Sequence, residues 1–355
     1  MIRLNEGRRG GAGAMLAALG LMAIAPTTAR AQSVAKFYKG KTISLYIGFS
    51  PGGGYDAYAR LVARFMGPHI PGKPTILSRN MVGGGSRIAA NFLYNVAPKD
   101  GTALATVDQA IPVQQAVRDP TVKFDCNAFN WIGNPVADNN VVTTWYTTGV
   151  KTIADAKKKS IAIGATGFNT SSQYPEAMNH VLGTKFKVIL GYPGANEINL
   201  AMEKGEVGGR GSNSWASWKA TRPQWIKEHK LNVLVQIGLT KAADLPNVPL
   251  LMDLATKPID KTALKVLSAP PTIGRPIIAP PGVPADRVKA LRAAFDATMK
   301  DPAFIAEAKK EHLDLAPVSG KHLQKIVGEI VATPKNVADH LSKIIAVRHG
   351  ASIAN

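Results

Sequence analysis

The chain has 355 residues, a formal charge of +19 and one cysteine, Cys126. A single cysteine excludes an intramolecular disulfide and a thiolate metal site, and the length allows two domains, each with its own core. The positive residues are scattered, Lys157-Lys158-Lys159 being the longest run, with no basic stripe interleaved with aromatics; this argues against nucleic acid and leaves an anionic small molecule or simply a basic surface.

The first 31 residues read as a signal peptide. Arg3, Arg8 and Arg9 form a basic start, residues 12–25 an apolar run, and Ala29-Arg30-Ala31 the small-residue pattern for cleavage after Ala31. The run is too short to span a bilayer, and no other stretch approaches ~18 uninterrupted apolar residues. The mature protein is expected in the periplasm, soluble.

Residues 42–49 are apolar and β-prone and read as a buried strand; residues 57–66 repeat apolar side chains at helical spacing. Between them lies Ser50-Pro51-Gly52-Gly53-Gly54-Tyr55-Asp56. Such a glycine loop lets backbone N–H groups converge on an anion at a helix N-terminus, or serves only as a tight turn. Ala57 stands where a dinucleotide fingerprint counted from Gly52 needs its third glycine, and no Gly-Lys-Ser/Thr follows for a P-loop. Residues 75–80 read as a strand, Gly83-Gly84-Gly85-Ser86 as a second glycine loop, 88–95 as a helix and 102–107 as a strand. That alternation predicts a mostly parallel sheet with its ligand beyond the carboxyl ends of the strands, near loops 50–56, 83–86 and 108–110.

These motifs carry a resemblance. Ser50 to Asp56 followed by Ala59-Arg60, Asn80 with Gly83-Gly84-Gly85 followed by Ala89-Ala90, and Pro98-Lys99-Asp100-Gly101 before a strand resemble the periplasmic solute-binding proteins of tripartite tricarboxylate transporters, the Bug family. Gly164-Ala165-Thr166-Gly167 with Ser171-Ser172, Gly191-Tyr192-Pro193-Gly194, Asp244 to Pro249 and Ala279 to Pro284 continue the series in collinear order. Gly208 departs from it, standing where the family usually has an acidic residue. The resemblance implies an α/β, two-lobed periplasmic-binding-protein fold (type II, Venus flytrap), a small organic carboxylate as ligand, a membrane permease as partner and action as a monomer.

The remaining residues agree. Residues 141–145, 160–163, 186–190 and 233–238 read as strands, and 153–159, 196–203 and 285–299 as helices. Two crossings, near 135–145 and 235–245, divide the chain into lobe 1 (36–138 plus 241–355) and an inserted lobe 2 (139–240), an arrangement suited to hinges. Thr170, Ser171 and Ser172 suit helix capping or ligand contact. Residues 211–215 read as a polar loop, with Trp215 either a lid or, like Trp218 and Trp225, packing on the core.

The candidate ligand-binding residues are Ser50, Gly52, Gly53, Gly54, Tyr55, Asp56, Gly84, Gln109, Thr166, Asn169, Thr170, Ser171, Ser172, Ala195, Asn196 and Asn213. Their N–H groups, hydroxyls and ordered waters would replace the carboxylate's hydration as the lobes close. No cofactor and no metal is expected: the seven histidines show no metal spacing. There is no Gly-x-Ser-x-Gly elbow, and Asp56 and Glu197 read as an acid/base pair or, more simply, as charges complementing helix dipoles. The rival is an exported α/β hydrolytic enzyme for a small acidic substrate, which would need a nucleophile–base pair in the cleft.

Overall fold

The computed structural model describes residues 33–346; the expected signal peptide, residues 1–31, lies outside the described residues. The chain opens with α1 (Val34–Tyr38), β1 (Thr42–Ile47), α2 (Gly54–Met66), β2 (Thr75–Asn80), α3 (Arg87–Asn95), β3 (Ala103–Thr106), α4 (Ile111–Ala116) and β4 (Asn130–Asn134). It continues through β5 (Asn140–Trp145), α5 (Ile153–Lys158), β6 (Ile161–Gly164), α6 (Thr170–Leu182), β7 (Phe186–Ile189), α7 (Ala195–Glu203), β8 (Gly209–Ser214), α8 (Trp215–Thr221), α9 (Pro223–Lys227) and β9 (Leu231–Ile237). It ends with α10 (Pro258–Leu267), β10 (Ile277–Ala279), α11 (Ala285–Thr298), α12 (Pro302–Lys310), β11 (Val318–Ser319), α13 (Gly320–Val331) and α14 (Lys335–Ile344).

Two sheets organise two lobes, in strand orders β11-β4-β10-β3-β1-β2 and β7-β6-β8-β5-β9. In β1 every second residue, Ile43, Leu45 and Ile47, is buried, and Tyr58, Leu61, Val62 and Met66 of α2 pack in the same core. That is the period-2 strand meeting the 3.6-period helix. Both sheets are mixed rather than mostly parallel. β1 runs parallel to β2 and β3, and β6 to β7 and β8, as βαβ units require. β10 is antiparallel to β3 and β4, and β5 to β8 and β9. β5 and β10 are the strands at which the chain enters the second lobe and re-enters the first, and the short edge strand β11 is also reversed, antiparallel to β4.

The crossing at 135–139 is laced to the other by Asn139, whose Nδ2 donates to Gln236 Oε1 (2.8 Å) and the Thr240 carbonyl (2.7 Å). Helices α10 and α14 pack on each other and on α6, beside the second sheet. The His340 Nε2–Asp260 Oδ1 contact (2.6 Å) joins α14 to α10.

The segment expected as a polar loop at 211–215 is instead the end of β8, a fully buried strand between β5 and β6, and Trp215 begins α8. Its sequence, GRGSNS, has no β-branched residue; pairing with β5 on one side and β6 on the other makes it a strand. Trp215 is no lid: its indole N–H donates to Asp244 Oδ2 (2.7 Å), and its ring packs with Trp218 and Trp225.

Close packing of the first sheet against α11 gives a test. A Cβ at Gly133 of β4 would overlap the Phe295 ring. Gly133→Ala is expected to cost about 1–3 kcal/mol, read as a lower urea midpoint at unchanged m-value; an unchanged midpoint would contradict this packing.

Candidate functional site

The carboxyl ends of β1, β3, β6 and β8 face a cavity of about 470 Å³, open solvent at its mouth included. One wall is made by Phe49, Gly53, Gly54 and Tyr55 after β1, Asp108 and Gln109 after β3, and Arg275 before β10. The facing wall is made by Asn140 of β5, Thr166, Asn169, Thr170 and Ser171 after β6, Ala195 of α7, and Arg210, Ser212, Asn213 and Ser214 of β8. The N-termini of α2, α6 and α7 thus meet at one cavity, each bringing partial positive charge.

Ten of the expected residues line it: Gly53, Gly54, Tyr55, Gln109, Thr166, Asn169, Thr170, Ser171, Ala195 and Asn213. Six stand elsewhere. Asp56 turns into the lobe, accepting from Gly52 N, Arg60 Nε and Asn80 Nδ2, all at 2.9 Å. Burial would raise its pKa, but the bonds from Arg60, Gly52 and Asn80 hold it below the usual carboxylate range. It locks the glycine loop to α2, and Gly52 is spent on that bond. Ser50 and Asn196 tie the lobes together: Ser50 Oγ donates to Glu197 Oε2 (2.9 Å) and Asn196 Nδ2 to the Pro51 carbonyl (3.1 Å). Asp56 and Glu197 therefore have separate partners. Ser172 Oγ bonds to the Asn169 carbonyl at 3.3 Å. Gly84 lines a second recess of about 390 Å³ beside the first, with Val82, Gly191 and Tyr192.

Asn169, rather than the three hydroxyl residues after it, caps α6. Its Oδ1 accepts from Ser171 N (3.1 Å), while its Nδ2 donates across the cleft to Asp108 Oδ2 (3.1 Å). Gln114 Nε2 also reaches across to the Phe168 carbonyl (2.8 Å). The lobes are therefore in contact. At Gly167 the backbones approach so closely that an added Cβ would lie 2.6 Å from Gly85 N. Gly208 lies outside the cavity: its N–H donates to the Ala162 carbonyl and its carbonyl accepts from Trp145 N, both at 2.8 Å.

Sequence reasoning missed the two arginines. Arg275 is 4% exposed and Arg210 8%. Arg275 lies over the Tyr55 ring at 4.2 Å and gives Nη2 to Ser217 Oγ (3.0 Å); Arg210 lies over Trp218 at 5.3 Å and gives Nη1 to Asn199 Oδ1 at 3.4 Å. The Nε of each is buried without a hydrogen-bond partner, and among the described residues neither arginine forms an ion pair. Burial, followed by the like charges of Arg275 and Arg222, pushes Arg210 down to about 9. Neither lies in a glycine loop or other anion-binding motif, so only the fold brings them to the cleft. Asp108 is the acid of the lining; burial pushes its carboxyl up to about 6, against the bonds from Ala110 and Thr170 and the charge of Arg275. Histidine and lysine are absent from the described lining, and among the described residues no group of three His, Cys, Asp or Glu is placed to hold a metal.

The two lobes and their polar cleft define a periplasmic binding protein fold. Residues 59–342 match the tripartite tricarboxylate transporter family receptor, and the chain belongs to that family, one of binding receptors rather than enzymes. No curated protein matches. Among solved structures, the chain is similar to the periplasmic binding protein BugD at 20% identity, over 87% of this chain and 99% of that one, with a TM-score of 0.67. It is also similar to MatC from Rhodopseudomonas palustris with bound malate (17% identity, 84% and 99% covered, TM-score 0.66). An R. palustris protein with adipate is a further likeness (16%, 86% and 97%, TM-score 0.65). At these identities the likeness establishes the fold.

Gly167→Ala is expected to hold the lobes apart, because backbone atoms of Gly84 and Gly85 face the new Cβ and cannot rotate away. The measurement is small-angle scattering: a larger radius of gyration than the parent's is expected, and an identical one would refute the contact as a closure constraint.

Proposed function

We propose that this protein is an extracytoplasmic receptor that captures a small organic carboxylate between its lobes and delivers it to the membrane permease of a tripartite tricarboxylate transporter. The carrying observation is the convergence of three helix N-termini and two guanidinium groups on one cavity. Membership of the receptor family supports it, as do the adipate and malate bound by two structural relatives.

In this reading residues 36–138 and most of 241–355 form lobe 1, residues 139–240 form lobe 2, and α10 and α14 ride on lobe 2. The ten lining residues named above touch the ligand or its waters, while Ser50, Gly52, Asp56, Gly84, Ser172 and Asn196 shape and join the loops. The ligand stabilises the closed form through contacts to both lobes. Export follows cleavage after Ala31, and the receptor works as a monomer.

A thermal-shift panel of mono-, di- and tricarboxylates, aromatic acids included, tests the class. A ligand at a hundredfold excess over Kd adds about 2.7 kcal/mol to stability, so a selective rise in Tm with the acid unaltered in mass is expected. Turnover of the acid would favour the hydrolase, and silence across the panel would refute carboxylate as cargo.

Asp108 supplies a pH signature. An anion bound beside it disfavours its ionised form further, so the complex holds more protons than the free protein. Affinity for a fully ionised ligand is expected to rise as pH falls from about 8 toward about 6. Calorimetry in buffers of different ionisation enthalpy reads the proton uptake; its absence would place the ligand away from Asp108.

A further inference from the structure

We infer that the ligand is a dianion whose two acid groups neutralise Arg275 from one lobe and Arg210 from the other, and that this pair sets the receptor's selectivity for charge. The inference rests on the carboxylate-receptor reading and goes beyond it by fixing the number of charges.

Both arginines line the same cavity, at 4% and 8% exposure. A guanidinium carries five N–H donors. Arg275 uses Nη2 on Ser217, with a long contact from Nη1 to the Gly274 carbonyl, and Arg210 uses Nη1 on Asn199. The Nε of each has no partner. The rings of Tyr55 and Trp218 lie against the guanidinium groups and help hold them in place. The carboxylate of the lining cannot serve both cations. Asp108 Oδ1 accepts from Ala110 N (2.9 Å), and Oδ2 from Asn169 Nδ2 (3.1 Å) and Thr170 Oγ1 (3.4 Å).

A buried cation without a partner is costly, and removing one half of a buried pair costs more than the pair is worth. A monoanion entering the closed cleft would leave one guanidinium in that state. A zwitterionic amino acid would add a third cation. A dianion pairs both, and because the cations belong to opposite walls it also draws the lobes together.

The test compares ligands that differ in one charge and little in shape: adipate against its monoamide and hexanoate, and malate against its monoamides, by calorimetry on the purified protein and its Arg210→Met and Arg275→Met variants. The parent protein is expected to bind the better dicarboxylate on the order of 100-fold more tightly than its monoamide. In each variant that ratio is expected to collapse to about threefold, the scale of an exposed pair. Without ligand, Arg210→Met is expected to melt no lower than the parent, since it loses a buried charge without an ion-pair partner. Arg275→Met also removes the cation that lowers the pKa of buried Asp108 and Asp138, and is expected to melt lower. A monoamide or monocarboxylate bound as tightly as its dicarboxylate, or variants that keep the ratio, would overturn the inference while leaving a carboxylate receptor. Binding of no acid, here or in the thermal-shift panel, would overturn the carboxylate reading on which the inference rests. If a variant fails to fold, the parent's dicarboxylate-to-monoamide ratio decides alone.

Discussion

The constraint on which the site depends is the burial of two guanidinium groups without carboxylate partners. In most interiors such a charge is neutralised by an ion pair. Here the fold offers substitutes that are weaker than a carboxylate: ring faces, a serine hydroxyl and an asparagine amide. Arg275 is the more firmly built in. Its backbone N–H donates to Asn134 Oδ1 (2.8 Å) at the crossing between lobes, and Gly274 before it has φ +63°, with the Val136 carbonyl where a Cβ would stand. Its charge is felt by Asp108, Asp138, Tyr55, Tyr58 and Tyr174. One cation near the hinge thus sets much of the electrostatics of the cleft.

Lobe contact rests on small residues and a few polar bridges. Gly167 against Gly85, and Gly194 against Ser50, bring backbones within reach of each other. Asn169 does two jobs at once, capping α6 with its oxygen and reaching Asp108 with its nitrogen. A change at this position would therefore alter a helix start and an interlobe bond together. Asp56, by contrast, acts wholly within one lobe, holding the glycine loop in the conformation that turns the start of α2 toward the cavity.

The order of strands and helices was legible because it is written in local periodicity. β2 spans residues 75–80 as expected, and β1, α2, α3 and β6 fall within a few residues of their expected bounds. The glycine loops were legible for a similar reason: positive φ, as at Gly52, Gly83 and Gly84, favours glycine. The ten expected residues that line the cavity belong to segments just beyond strand ends, where an α/β sheet leaves its open rim, or in Asn213 to the end of a strand itself.

What the sequence by itself determined was the alternation of elements, the loops that could hold an anion and the family to which they belong. Only the tertiary structure decided that GRGSNS is a strand, because its pairing comes from β5 and β6 rather than from its own propensity. It also decided that Asp56 faces inward, and that Arg210 and Arg275, 65 positions apart, share one cavity. Charge and polarity can be read from a sequence. Which charge is left unpaired cannot, because that depends on partners brought together, or withheld, by folding.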